Sequence, residues 1–77
     1  MPLVPLNEIL SKAEGEGYAV GAFNCNNMEM VQAIAQAADE ESSPVIIQAS
    51  QGAIRYAGLQ YIVALVNQAA AGVPVPV

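Results

Sequence analysis

The strongest constraint on the fold is a run of apolar, mostly β-branched residues that does not alternate with polar ones. It covers residues 45–49 and begins Val45-Ile46-Ile47. Such a run is typical of a strand in a parallel sheet that helices cover on both faces. We therefore predict a buried strand at 45–49. Gln48 lies inside this run, and we expect it to be a core polar group that needs a hydrogen-bond partner.

Strand-like positions recur every 26 to 29 residues along the chain, at Ala19, Val45 and Pro74. This spacing is the length of one βα unit, and apolar residues at helical spacing fill the intervals. The order is a helix followed by β-α-β-α-β, which is the α/β class. The predicted elements are a short N-terminal helix that Gly15 and Gly17 end, strands over 18–24, 45–49 and 73–77, and helices over 27–41 and 59–71.

Parallel βα units place the carboxyl ends of neighbouring strands at one edge, where α/β proteins bind ligands. We expect Asn24 and Ser50 to lie side by side at this edge. Ser50-Gln51-Gly52 would direct backbone N–H groups and a hydroxyl toward an anion such as phosphate. The alternative is that Ser50 only caps a helix. The Asn24 amide is suited to binding sugar hydroxyls.

Other polar residues near this edge have simpler interpretations. Asn26 with Glu29 resembles a capping box, and Asn27 suits a turn or a cap. Arg55 suits either a phosphate contact or a surface ion pair. Cys25 is interpreted as a small buried hydrophobic residue with no neighbouring base or cation to activate it.

Composition excludes several classes of function. Seven acidic residues against two basic ones give a net charge of −5, which makes nucleic acid a poor partner. The chain has no histidine and one cysteine, so we assign it no metal ligand and no catalytic residue. Polar residues and prolines interrupt the uncharged stretch 56–77, which argues against a membrane span. The single cysteine and the absence of a signal-like start predict a cytoplasmic setting.

Four segments together resemble one known family. They are the opening 1–4, the strand segment 18–24 (YAVGAFN), the segment 37–50 (AADEESSPVIIQAS) and the segment 52–56 (GAIRY). In order and spacing, from Met1 to about Val66, they resemble the N-terminal end of class II fructose-bisphosphate aldolases. The resemblance implies that residues 1–77 belong to a single TIM, or (β/α)₈, barrel domain, of which they form the N-terminal part.

The resemblance also implies a chemistry. The family cleaves fructose 1,6-bisphosphate into dihydroxyacetone phosphate and glyceraldehyde 3-phosphate in glycolysis and gluconeogenesis. A zinc ion held by histidines polarises the ketone, and an aspartate handles the proton. By resemblance, Ser50 contacts the phosphate of the aldehyde half and Asn24 faces the substrate. Relatives that act on tagatose bisphosphate share this opening, so that substrate is an alternative.

This sequence departs from the family pattern at its end. The His-Leu-Asp-His-like segment that would follow the third strand is absent, which indicates a truncation, a frameshift or an altered tail. We expect this chain to bind no zinc, to lack activity alone and to self-associate through open barrel edges. The alternatives are a non-catalytic α/β phosphate-binding or self-associating module, and a truncated product without function.

Overall fold

The structure is a computed structural model that describes residues 3–77, so the first two residues of the predicted 1–77 unit lie outside the described residues. The described chain forms four helices and two strands, in the order α1 (Leu6–Glu16), β1 (Ala22–Asn24), α2 (Met28–Glu40), β2 (Ile46–Gln48), α3 (Gln51–Ala57) and α4 (Leu59–Ala71). The predicted α/β class is confirmed, and α2 and α4 match the helices that the sequence predicts.

The two strands pair in parallel, as the repeat predicts. Phe23 lies opposite Ile47, and Asn24 lies opposite Gln48. The ladder extends by one bond at each end: the Cys25 N–H donates to the Gln48 carbonyl, and the Ile46 N–H donates to the Gly21 carbonyl. Both strands therefore end at the same edge, immediately before the segments that lead into α2 and α3.

The third strand, expected at 73–77, does not form, and that prediction is wrong for the described residues. The segment still lies beside β2, because the Val45 N–H donates to the Pro76 carbonyl at 3.1 Å. Alternate residues of a strand face the same neighbour, so Pro74 and Pro76 would face β2 together. Neither proline has an N–H to donate, and the ladder cannot continue.

Glycines set the helix ends differently from the prediction. Helix α1 runs through Gly15, and Gly17 ends it in the left-handed conformation with φ 76°, donating its N–H to the Ala13 carbonyl. Glycine adopts that conformation without the steric cost that a Cβ carries. Gly58, at φ 97°, separates α3 from α4. The predicted helices did not include α3, which is a separate helix between Ser50 and Gly58.

Two buried clusters hold α2 and α4 against the sheet. One cluster contains Ala35, Ala38, Val45, Ala70, Val73, Val75 and Val77. The other contains Cys25, Val31 and Ile62. Ile34, Ile47 and Ala69 are partly buried and pack against both clusters. Ile47 therefore marks the face of the sheet on which the helices pack.

The expectation that helices cover both faces of the strands is wrong. All three residues of β1 are exposed, and Phe23 retains 52% of its accessible surface. Gln48 is exposed rather than a core residue, although it does have a hydrogen-bond partner. For Ala22, Asn24 and Gln48 the reason is that α2 and α4 pack on the Ile47 face, and no described element covers the opposite face in the same way. Phe23 lies on the Ile47 face and is exposed at a groove between β1 and α2.

Candidate functional site

The carboxyl ends of β1 and β2 carry two polar side chains, and the sequence predicted one of them, Asn24, at this edge. Asn24 is the last residue of β1, and Gln48, opposite it, is the last residue of β2. The Gln48 side-chain Nε2 donates a hydrogen bond to Asn24 Oδ1 at 2.8 Å. The unalternating run around Gln48 predicted a core position, and the prediction is wrong because Gln48 is exposed. Gln48 follows Asn24 by 24 residues, which is shorter than the 26- to 29-residue repeat, so the repeat does not identify the pair.

Ser50 lies two residues beyond β2 and begins α3. Its backbone is extended, with φ −75° and ψ 167°, and its Oγ accepts a hydrogen bond from the Ala53 N–H at 3.1 Å. Ser50 is therefore the N-cap of α3. A hydroxyl that accepts one bond retains a donor hydrogen. No described residue accepts from it, so the Ser50 hydroxyl can both cap α3 and donate to a ligand.

A polar recess of about 390 Å³ opens beside Ser50. It is lined by Asn26, Asn27, Ser50, Gly52, Ala53 and Tyr56. Asn24 is not part of this lining, and no hydrogen bond joins it to Ser50 among residues 3–77. The edge therefore carries two separate polar groups, the Asn24–Gln48 pair and the Ser50 recess.

The α2 cap lies one residue later than the capping-box pattern suggests. Asn27, not Asn26, is the N-cap, and its Oδ1 accepts a hydrogen bond from the Met30 N–H at 2.9 Å. The reason is that Cys25 still belongs to the sheet ladder, which delays the turn into α2. Asn26 remains exposed at the rim of the recess.

Two further candidate residues differ in their surroundings. Arg55 is exposed in the last turn of α3 and forms no ion pair within the described part of the chain. Cys25 is completely buried, and burial raises the pKa of its thiol, with a backbone hydrogen bond opposing the rise to a smaller extent. A thiol in such surroundings stays protonated and unreactive.

The side chains of the described residues do not form a metal-binding group. Residues 3–77 contain no group of three or more His, Cys, Asp or Glu side chains that could hold a metal ion. Over the same range, no helix is both long enough and apolar enough to cross a lipid bilayer.

An apolar groove lies beside β1 and shares no lining residue with the Ser50 recess. Its volume is about 580 Å³, and it runs between β1 and α2. Phe23, Ala33, Ile34 and Ala37 contribute to its walls. The lining also includes Pro44 and Val45, immediately before β2. Among the described residues, β2 pairs with one edge of β1 and no strand pairs with the other edge.

Comparison with known proteins gives a consistent result. The family described as fructose-bisphosphate aldolase class-II matches residues 4–77. A protein of Bacillus subtilis (strain 168) named "Probable fructose-bisphosphate aldolase" is 56% identical over 68 residues, which are 87% of this chain and 24% of that protein. A Helicobacter pylori (strain J99) protein named "Fructose-bisphosphate aldolase" is 57% identical over 65 residues, 84% of this chain and 21% of that protein.

A more distant relative has the same kind of name. A Synechocystis protein named "Fructose-bisphosphate aldolase class 2" is 53% identical over 62 residues, covering 80% of this chain and 17% of that protein. The chain thus spans between 17% and 24% of the length of these three relatives.

Proposed function

Because the chain belongs to the class-II fructose-bisphosphate aldolase family, we propose that it is the N-terminal part of an enzyme that cleaves fructose 1,6-bisphosphate. The products are dihydroxyacetone phosphate and glyceraldehyde 3-phosphate, and the step belongs to glycolysis and gluconeogenesis. The observation that carries this proposal is the family match over residues 4–77. Residues 1–77 then form one part of a single (β/α)₈ barrel domain, which needs about 250 residues when complete.

Two residues of this chain are assigned to substrate binding. The Ser50 hydroxyl donates to the phosphate of the aldehyde half, and the Asn24 side chain faces the substrate. Both lie at the carboxyl edge of the sheet, which is where barrel enzymes have their active sites. The donor hydrogen of Ser50, which has no acceptor among the described residues, supports its assignment.

Zinc, which the family implies, does not fit the residues of this chain. No metal-holding cluster occurs among residues 3–77, and the sequence has no histidine. We therefore assign no metal ligand and no catalytic residue here, and we expect the 77-residue chain alone to lack aldolase activity. The measurement is turnover of fructose 1,6-bisphosphate by the purified chain with added zinc. Cleavage that a chelator abolishes would contradict the expectation.

The proposed function itself is tested in a chimera, which is the Bacillus subtilis relative with its matching segment replaced by the 68 residues of this chain that match it. We expect the chimera to cleave fructose 1,6-bisphosphate with kcat/KM within about tenfold of the unchanged relative. A folded chimera without activity would refute the proposal. Measuring tagatose 1,6-bisphosphate in parallel tests the alternative substrate, since a higher kcat/KM for tagatose would favour it.

Self-association of the isolated chain is the second part of the proposal. One edge of β1 has no strand partner among residues 3–77, and the exposed Phe23 ring lies beside the apolar groove. Open edges of this kind pair with other chains. We expect oligomers by sedimentation, which Phe23→Ser weakens. Tyr56→Ser, at a ring that is 78% exposed but away from the groove, is the matched control. A monomer at micromolar concentration would refute this part.

A cytoplasmic setting completes the proposal. The single cysteine is free and buried, which suits a reducing compartment. Fractionation of cells that express the full-length protein tests this, and recovery from an oxidising compartment would contradict it.

A further inference from the structure

The hydrogen bond between Gln48 and Asn24 joins two side chains that are 24 residues apart in the sequence and directly opposite each other in the sheet. Side chains alternate along a strand, so Asn24 and Gln48 lie on the face opposite to Ile47. Ile47 packs against the helices. The pair is therefore on the face that α2 and α4 leave open, at the edge where a ligand would bind.

The direction of this bond determines what Asn24 can offer to a ligand. An asparagine amide has one acceptor oxygen and two donor hydrogens. Gln48 Nε2 donates to Asn24 Oδ1, so the acceptor of Asn24 is engaged and its Nδ2 hydrogens remain for other partners. Resting on the proposed function, we propose that Gln48 is a positioning residue that holds Asn24 as a hydrogen-bond donor toward a ligand oxygen.

Glutamate at position 48 separates this role from a purely structural one. Glu has nearly the shape of Gln, but its carboxylate only accepts hydrogen bonds. To bond with it, the Asn24 amide must rotate by half a turn and present Oδ1 to the ligand. Methionine is also similar in length but neither donates nor accepts strongly, so Asn24 stays free to rotate and part of its binding survives. A structural role predicts that Glu is tolerated at least as well as Met.

The variants are compared in the chimera by kcat/KM for fructose 1,6-bisphosphate. We expect Asn24→Ala to lower kcat/KM by about tenfold, the loss of one hydrogen bond. Gln48→Glu should lower it at least as much, and Gln48→Met should lower it less. In the Asn24→Ala background, Gln48→Glu should change kcat/KM by less than twofold, because the amide that it reorients is gone. Gln60→Glu, the same change at an exposed site on α4, should have no effect.

Three results would overturn the proposal. The first is Gln48→Glu activity within twofold of the unsubstituted chimera. The second is a greater loss for Gln48→Met than for Gln48→Glu. The third is a double variant whose fold loss in kcat/KM equals the product of the losses for Gln48→Glu and Asn24→Ala. That result would show that the new charge repels the substrate directly.

A measurement independent of activity keeps the two proposals apart. In the ¹⁵N-labelled chimera, we expect the Gln48 Nε2 hydrogens to exchange with solvent more slowly than they do in the Asn24→Ala variant. Equal exchange rates would overturn the positioning role even in an active chimera. A folded chimera that cleaves no substrate but shows the slowed exchange would refute the proposed function and retain the pairing.

Discussion

Substituting Ser50 tests the assignment of the aldehyde-side phosphate, because the hydroxyl has two separable uses. Its oxygen accepts from the Ala53 N–H at 3.1 Å and caps α3, while its hydrogen remains available to a ligand. Ser50→Ala removes both. Ser50→Gly removes the hydroxyl as well, but glycine at an N-cap costs only a few tenths of a kcal/mol, whereas alanine costs about 1 kcal/mol. Ser50→Thr keeps both uses.

The expected magnitudes follow from these two interactions. A hydrogen bond to a charged group contributes about 1.5–3 kcal/mol, and about 1.4 kcal/mol is a factor of ten in rate. Ser50→Ala and Ser50→Gly should therefore both lower kcat/KM for fructose 1,6-bisphosphate by roughly ten- to a hundredfold. Only the alanine variant should also lower the thermal midpoint measurably. Ser50→Thr should resemble the unsubstituted chimera in both measurements.

The assay compares fructose 1,6-bisphosphate with fructose 1-phosphate, which lacks the phosphate of the aldehyde half. The loss should be confined to the bisphosphate, and thermal melts of each variant provide the stability measurement. Equal fold losses on the two substrates would refute the phosphate contact. So would a Ser50→Gly variant that keeps its preference for the bisphosphate, since the hydroxyl would then act only as a cap.

Three further predictions concern the described elements, and the first two are measured as thermal midpoints of the chimera. Gly15→Ala should stabilise the fold by up to about 1 kcal/mol because residue 15 is helical. Gly17→Ala should destabilise it by about 1 kcal/mol because φ is +76° there. Stability changes of the same sign for the two variants would refute the end of α1 at Gly17. Asn27→Ala should lower the stability of the fold by about 1 kcal/mol, and Asn26→Ala should leave it almost unchanged. A larger loss for Asn26→Ala would show that Asn26 is the N-cap, as the capping-box pattern suggests. Burial raises the pKa of Cys25, so the thiol ionises at lower pH in the unfolded chain than in the folded chain. The free energy of unfolding should therefore fall as the pH rises above about 8.5. A Cys25→Ala variant whose free energy of unfolding falls equally with pH would contradict this.

Local signals in the sequence predicted most of the secondary structure. The unalternating run at 45–49 indicated β2, and the spacing of apolar residues indicated α2 and α4 at nearly the bounds observed. Parallel pairing followed from the length of the βα repeat and is confirmed. These features depend on residues close in sequence, which is why one sequence was enough to find them.

Burial was predicted less well, because it depends on what covers each face. The β-branched run at 45–49 suggested cover on both sides, but helices lie on the Ile47 face. Gln48 was therefore assigned to the wrong environment. The same limit applies to 73–77, where the strand-like valines gave a strand signal and the missing N–H groups of Pro74 and Pro76 prevented the ladder.

The candidate site shows the same division. The positions of Asn24 and Ser50 at the strand ends were predictable, since parallel strands end at one edge. The partner of Asn24 was not recognised, because the bond to Gln48 depends on the register between two strands rather than on neighbouring residues. The substrate roles of both residues remain predictions.

The exposure of the Asn24–Gln48 pair links the fold to the chemistry. Both amides face water in the described chain, and water competes for each of their hydrogen-bonding groups. A hydrogen bond strengthens when the local dielectric falls, so an element that covers this face would strengthen the bond and fix the orientation of Asn24. The core formed by α2 and α4 determines where the two side chains lie. The energy with which they hold a ligand depends instead on what closes the open face of the sheet.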